Sequence, residues 1–265
     1  MYAFEYHRPS SLAEVASLLQ SKPEAKLLAG GMTYIPTLKQ RLAQPSDLID
    51  LGGIAELRRI LIDRGSHLVI GAMTPHAEVA GSKDVQEWIP ALAEMAEMIG
   101  DAQVRNCGTI GGSIANNDPA ADYPAAVVGL NATVHTNRRT IAGDDFFTGM
   151  FDTALDDDEI VTEVRFPKAD RAGYAKFRNP ASRYAIVGVM VAQTGGQTRV
   201  AVTGAGPCVF RLPDFEQALG SNFSADAIKD LSVGAANLNN DIHASAEYRA
   251  HLVKVMAQRA VKAAG

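Results

Sequence analysis

Cysteine is nearly absent from this 265-residue chain: only Cys107 and Cys208 occur, far apart in sequence. Zinc and iron–sulfur centres usually draw four ligands, commonly from close Cys or His pairs. The six histidines form neither an HExxH motif nor a tight pair, so no metal centre is expected here. Any metal chemistry must then sit on another chain. Long apolar runs are also missing; none approaches the roughly 20 residues of a membrane-spanning helix. The opening MYAFEYHRPSS lacks the basic-then-apolar layout of a secretory signal, and a cytoplasmic location is the default expectation. Excess positive charge is absent too. A net charge of -5 without a basic cluster argues against nucleic-acid binding. No fixed-period repeat or low-complexity tract is present.

What is present is an ordinary globular balance, 47% hydrophobic and 21% charged, in a chain long enough for two or three lobes. Residues 2–7 predict a strand, and Ser10 or Ser11 caps a helix carrying Leu12, Val15, Leu18 and Leu19. A short strand at 26–29 runs into Gly30-Gly31, followed by a helix over 33–42 with Pro36 in its first turn. Residues 47–51 form the next strand. A second unit opens with a hairpin, 57–63 and 67–71, around Arg64-Gly65. It continues through a helix over 89–99, a loop over 105–113, a helix following Asp122, and strands at 132–136 and 159–166. After Pro167 the pattern changes to three strands, near 174–177, 184–193 and 198–203. Helices are predicted near 214–219, 225–234 and 246–264. Alternating α/β units followed by strands and then helices imply an α+β chain of two domains, 1–170 and 171–265, the first with lobes of about 1–54 and 55–170.

Two glycine pairs carry the chemistry. Leu28-Ala29-Gly30-Gly31-Met32-Thr33 follows a strand and opens a helix; Thr109-Ile110-Gly111-Gly112-Ser113 lies in the second unit. Glycine lets backbone approach a ligand closely and adopt positive φ. Successive amides in such a turn can face a phosphate, with Thr33, Thr109 and Ser113 as hydroxyl donors. A single Gly-Gly pair between a strand and a helix is most often just a turn, and two hydroxyl-flanked pairs weaken that reading without defeating it. Neither loop is GxGxxG or GxxxxGK[ST], and Gly204-Ala205-Gly206 runs into Pro207 rather than a helix. Any nucleotide is held by another scheme. The run Asp156-Asp157-Asp158 reads as a solvated turn.

Five segments in order extend this reading: LLAGGMTYIP (27–36), IGDAQVRNCGTIGGSIANNDPAADYPA (99–125), FFTGMFDTALDDDEIVTEVRFP (146–167), KFRNPASRYAIVGV (176–189) and SAEYRAHLVKVMAQRA (245–260). On these the chain resembles the FAD-binding medium subunit of the molybdenum hydroxylases, the carbon monoxide dehydrogenase and xanthine dehydrogenase family. The resemblance runs nearly end to end, although the stretch between Val189 and Val202 looks short beside many relatives.

The resemblance implies a vanillyl-alcohol-oxidase (PCMH)-type FAD-binding domain of two α/β lobes, with a C-terminal domain of three antiparallel strands and helices. It implies that 29–33 and 109–113 are two pyrophosphate loops and that Asp122 contacts the cofactor; a helix N-cap role for Asp122 stays open beside this. Val161 and Lys176 match positions near the cofactor, against readings as an inward strand residue and a solvated strand charge. Tyr184 matches a position against the flavin ring, against a core tyrosine at a strand start. Asp118 belongs to the second loop or only holds the turn with Pro119. Molybdopterin and two-iron two-sulfur clusters are implied on a large and a small partner subunit, in a dimer of heterotrimers. The flavin would carry electrons from the iron–sulfur subunit to an external acceptor, without a catalytic acid or base on this chain. A self-sufficient FAD-dependent oxidase and a non-redox dinucleotide-binding module are the alternatives.

Overall fold

The computed structural model describes residues 1–265. The first fifty residues build a small parallel sheet in which strand Asp47–Asp50 lies between Glu5–His7 and Lys26–Leu28. Parallel neighbours require crossover helices, and Leu12–Ser21 and Tyr34–Lys39 supply them. The first begins where expected: Ser11 accepts from the Glu14 amide, and Val15 and Leu19 turn inward. The second is shorter than the predicted 33–42, and the chain leaves it through Arg41 at φ 60°.

The second unit is a five-stranded antiparallel sheet. Its order is Ile60–Asp63, His67–Gly71, Val161–Pro167, Thr133–Thr136 and Thr140–Ala142. The Arg64-Gly65 turn has φ of 46° and 71°, the two left-handed residues that a tight hairpin turn requires. Six short helices between Gly71 and Thr133 pack on this sheet around a core that includes Leu68, Ile70, Leu92, Met95, Ile110 and Tyr123. The segment expected as a loop over 105–113 is instead helical at Ala102–Cys107 and Ile110–Asn116. Asp101 caps the first by accepting from the Val104 amide, and Thr109 caps the second by accepting from that of Gly112. The Gly111-Gly112 pair therefore lies inside the first turn of a helix. Helices His76–Gly81 and Lys83–Trp88, the latter capped by Ser82, add to those read from sequence.

The C-terminal part is a four-stranded antiparallel sheet: Arg171–Arg178, Ala185–Thr194, Gln197–Thr203 and the two-residue strand Phe210–Arg211. The predicted three strands are present, and the fourth is too short to leave a pattern. Helix Ala246–Ala263 covers the sheet with Leu252, Val253, Met256 and Ala260 buried. It approaches so closely that a Cβ on Gly173 would stand 2.1 Å from the Ala260 carbonyl. The helix expected over 225–234 is only a single 3-10 turn, Ala225–Ile228.

The two parts are joined by polar contacts as well as packing. Arg199 donates to the Val128 carbonyl at 2.8 Å, and the Thr203 hydroxyl donates to that of Ala121 at 2.6 Å. Tyr174 and Met190, from the C-terminal sheet, join the core of the second unit. No helix is long and apolar enough to cross a membrane.

Candidate functional site: a cleft between two glycine turns

The glycine turns touch. A Cβ on Gly30 would stand 1.9 Å from the Cys107 carbonyl oxygen, and one on Gly112 would lie 3.1 Å from the Ala29 Cβ. Absence of side chains at these positions is what lets the first lobe meet the second. Together they wall a cleft of about 540 Å³.

The turns offer different chemistry. In the first, the amides of Gly30, Gly31, Met32 and Thr33 find no acceptor within the chain, while the Gly31 and Thr33 carbonyls accept from Ile35 and Thr37. Gly31 has φ +74°, so successive N–H groups can line a concave turn of the kind that binds anions. In the second, the amides are already engaged: Ile110 donates to Thr74, Gly111 to Ala72, Ser113 to the Thr109 carbonyl and Gly112 to the Thr109 hydroxyl. That side contributes hydroxyls, from Thr109 and Ser113, more than free amides. Four unspent donors in one crevice fit the diphosphate of a dinucleotide, because phosphate oxygens accept several hydrogen bonds at once.

Of the residues singled out in the sequence, Leu28, Ala29, Gly30, Gly31, Met32, Thr33, Thr109, Gly111, Gly112, Ser113, Asp118, Asp122, Val161 and Tyr184 all line this cleft. Ile110 and Lys176 do not. Ile110 points into the core. Lys176 is not a solvated strand charge: its side chain is 1% exposed and its Nζ lies 2.8 Å from Asp122 Oδ2. Asp122 caps no helix. Its other oxygen accepts from the Tyr174 hydroxyl at 2.5 Å. Burial pushes the Asp122 carboxyl up, against the pull of the Lys176 ammonium.

Val161 is a buried strand residue in the cleft wall. Tyr184 is no core residue: it is 43% exposed at the mouth, its phenol pushed up by desolvation and by the Asp118 charge. Asp118 does hold the turn, accepting from the Ala120 amide at 2.9 Å, and burial raises its carboxyl.

Among the wall residues that escaped sequence reasoning, two are buried and titratable, Glu159 and His76. Glu159 adjoins the triple aspartate and is buried; hydrogen bonds from Arg139, opposed by desolvation, bring its carboxyl down to about 2. His76 follows Pro75 after a strand and is 4% exposed. Desolvation, with the nearby Arg105 charge, lowers its imidazole to about 4. Neither has a local motif that would have revealed it.

An α+β fold with a crevice walled by two glycine segments and lined by free main-chain donors suits the class of dinucleotide-binding proteins. Residues 2–169 match the family described as FAD binding domain in molybdopterin dehydrogenase, and residues 172–264 match the CO dehydrogenase flavoprotein C-terminal domain. The chain is 38% identical to the carbon monoxide dehydrogenase medium chain of Hydrogenophaga pseudoflava, over 98% of this chain and 96% of the relative. It is 36% identical to the nicotine 6-hydroxylase medium subunit of Paenarthrobacter nicotinovorans, over 99% and 98%. Among solved structures, the CO dehydrogenase of Oligotropha carboxidovorans superposes with a TM-score of 0.90 at 31% identity, over 99% of this chain and 98% of the other. Quinoline 2-oxidoreductase from Pseudomonas putida 86 gives 0.89 at 29%, over 99% and 97%. The chain belongs to the FAD-binding medium subunits of the molybdenum hydroxylases.

Proposed function

We propose that this chain holds FAD as the electron-transfer subunit of a molybdenum hydroxylase, taking electrons from an iron–sulfur subunit and passing them to an external acceptor. The observation that carries the reading is the row of four unspent amides, Gly30 to Thr33, across one cleft from the Thr109 and Ser113 hydroxyls. The diphosphate rests on the 29–33 turn, Asp122 accepts from a cofactor hydroxyl, and Tyr184 offers its ring at the mouth. FAD supplies the redox chemistry when bound; the chain orients it and excludes water from its diphosphate.

The finer organisation belongs to the same proposal. Residues 1–170 form a vanillyl-alcohol-oxidase (PCMH)-type domain with lobes 1–54 and 55–170, and residues 171–265 form the C-terminal domain. Molybdopterin sits on a large subunit and two-iron two-sulfur clusters on a small one, assembled as a dimer of heterotrimers in the cytoplasm.

Visible absorbance and co-purification test this together. Flavin bands in the purified chain, with capture of a molybdopterin protein and an iron–sulfur protein from the native host, are the expected result. Colourless protein that takes up no added FAD would overturn it. Substrate oxidation by the isolated chain would indicate a self-sufficient oxidase instead.

A further inference from the structure

His76 presents an unexplained pair of nitrogens. Its backbone is fixed to the second glycine turn, since the His76 amide donates to the Gly108 carbonyl at 3.0 Å and Pro75 bridges Thr109. Its ring lies against Tyr123, with centroids 5.3 Å apart and planes tilted by 40°. His76 Nδ1 is wholly buried without a hydrogen-bond partner, and so is the Tyr123 hydroxyl. Native proteins leave few such groups unsatisfied, because each costs its full desolvation. The second ring nitrogen, Nε2, lies 2.7 Å from where a Cβ on Gly108 would stand. Gly108 and His76 both line the cleft. A glycine at 108 therefore makes room for the imidazole at the cleft wall, and Nε2 is the nitrogen reachable from the cleft.

We propose that His76 is a cofactor contact, its neutral imidazole donating Nε2–H to a hydrogen-bond acceptor of FAD. The tautomer follows from burial. An N–H trapped at Nδ1 with no acceptor is the costlier orphan, so the proton belongs on Nε2 and the lone pair faces the protein. A neutral donor at this place complements the amides of the 29–33 turn without adding charge. The contact uses Nε2 at the cleft wall, while Nδ1 keeps its unshared lone pair toward the protein. The inference rests on the FAD reading above.

Two measurements decide it. Fluorescence titration of FAD into the apo full-length chain should show affinity falling about threefold to tenfold in His76→Leu, the usual worth of one neutral hydrogen bond. His76→Gln, whose amide can donate from a similar reach, should recover much of the loss. The thermal midpoint of the apo-protein should hold or rise in His76→Leu, since an orphaned buried nitrogen has gone. A purely structural histidine would do the reverse, lowering apo stability and leaving FAD affinity intact.

Should His76→Leu fail to fold, nitrogen chemical shifts of the wild-type imidazole answer the same question. FAD should move Nε2, and ADP and FMN as separate probes tell which half bears the acceptor. Wild-type protein that binds FAD with no change at Nε2 overturns the His76 contact alone. Wild-type protein that does not bind FAD defeats the reading beneath it.

Discussion

Lys176 Nζ stands 2.8 Å from Asp122 Oδ2, and this buried pair joins the C-terminal sheet to the wall of the cleft. Lys176 also donates to the Met98 carbonyl at 3.3 Å, and Tyr174, two residues earlier on the same strand, holds the other Asp122 oxygen. Both side chains point the same way because strand residues alternate faces. Asp122 is thereby fixed in orientation from behind, with its cleft side open to a partner.

Lys176→Met should destabilise the protein by about 3–5 kcal/mol, the range for a buried charge that loses its partner. Tyr174→Phe should cost less, about 1.5–3 kcal/mol, as one hydrogen bond to a charged group is lost. Adding Asp122→Asn to Lys176→Met should recover much of the stability but not FAD affinity. Thermal or urea unfolding of apo-protein and FAD titration report the two effects separately. Equal FAD affinity in the double variant and wild type would show that Asp122 serves only the fold.

The glycines of the two turns should differ sharply in tolerance. Gly30→Ala places a Cβ 1.9 Å from a backbone oxygen, which can yield only if the lobes part. Loss of FAD retention and severe destabilisation are expected. Gly31→Val adds backbone strain at φ +74°, a conformation that costs a β-branched residue about 1–2 kcal/mol or more. Gly112→Ala meets only the Thr109 hydroxyl at 3.0 Å and the Ala29 methyl at 3.1 Å, and should be mildest. Flavin content per folded chain ranks the three. A ranking with Gly112→Ala worst would show that ligand space, rather than contact between the turns, sets the requirement.

Much of the frame was legible because its signals are local. The Arg64-Gly65 hairpin follows from turn chemistry, and the Leu12–Ser21 and Ala246–Ala263 helices follow from their caps and apolar faces. The 110–116 helix was hidden by its own glycines, each of which costs a helix roughly 1 kcal/mol relative to alanine. Tertiary hydrogen bonds to Thr74 and Ala72 override that penalty, and no window of sequence contains them. The partners of Asp122 lie 52 and 54 residues away on another sheet. A local reading could offer only the cap. His76 and Glu159 were missed for the same reason: burial makes them notable, and burial is a property of the assembled lobes.

Arg249 should prove the structural anchor of the C-terminal part. Its buried guanidinium donates to the Ile186 and Gly204 carbonyls and to both oxygens of Asp241, at 2.7–2.9 Å. Arg249→Met leaves the two carbonyls without this donor, while the exposed Asp241 carboxylate keeps the His243 and Ala244 amides. A loss of about 1–3 kcal/mol is expected, because buried carbonyls lose a charged donor. Arg249→Lys should recover only part, since a point ammonium cannot reproduce the planar fork. Because the cleft is lined mainly from the first 170 residues, FAD affinity of whatever protein remains folded should change little. A large loss of affinity at unchanged stability would place Arg249 in the cofactor's support instead.

Acid should weaken the cleft in two stages. His76 is lowered to about 4 by desolvation and the Arg105 charge, from an ordinary value near 6.5. The unfolded chain therefore binds its proton first, and folding stability falls as pH drops from about 6.5 toward 4. Glu159 is lowered to about 2, chiefly by hydrogen bonds from Arg139. Its contribution is present above its unfolded value, near 4.5, and is lost as pH falls from there toward 2. His76→Leu should flatten the upper stage and leave the lower one, while Glu159→Gln should do the opposite at a cost of about 1–3 kcal/mol near neutrality, because the hydrogen bonds from Arg139 and Thr136 lose their charged acceptor. Urea unfolding of the apo-protein at pH steps from 7 down to 3 separates them. An upper stage unchanged in His76→Leu would mean that another group titrates there, and that the imidazole is not held neutral by the wall in which it sits.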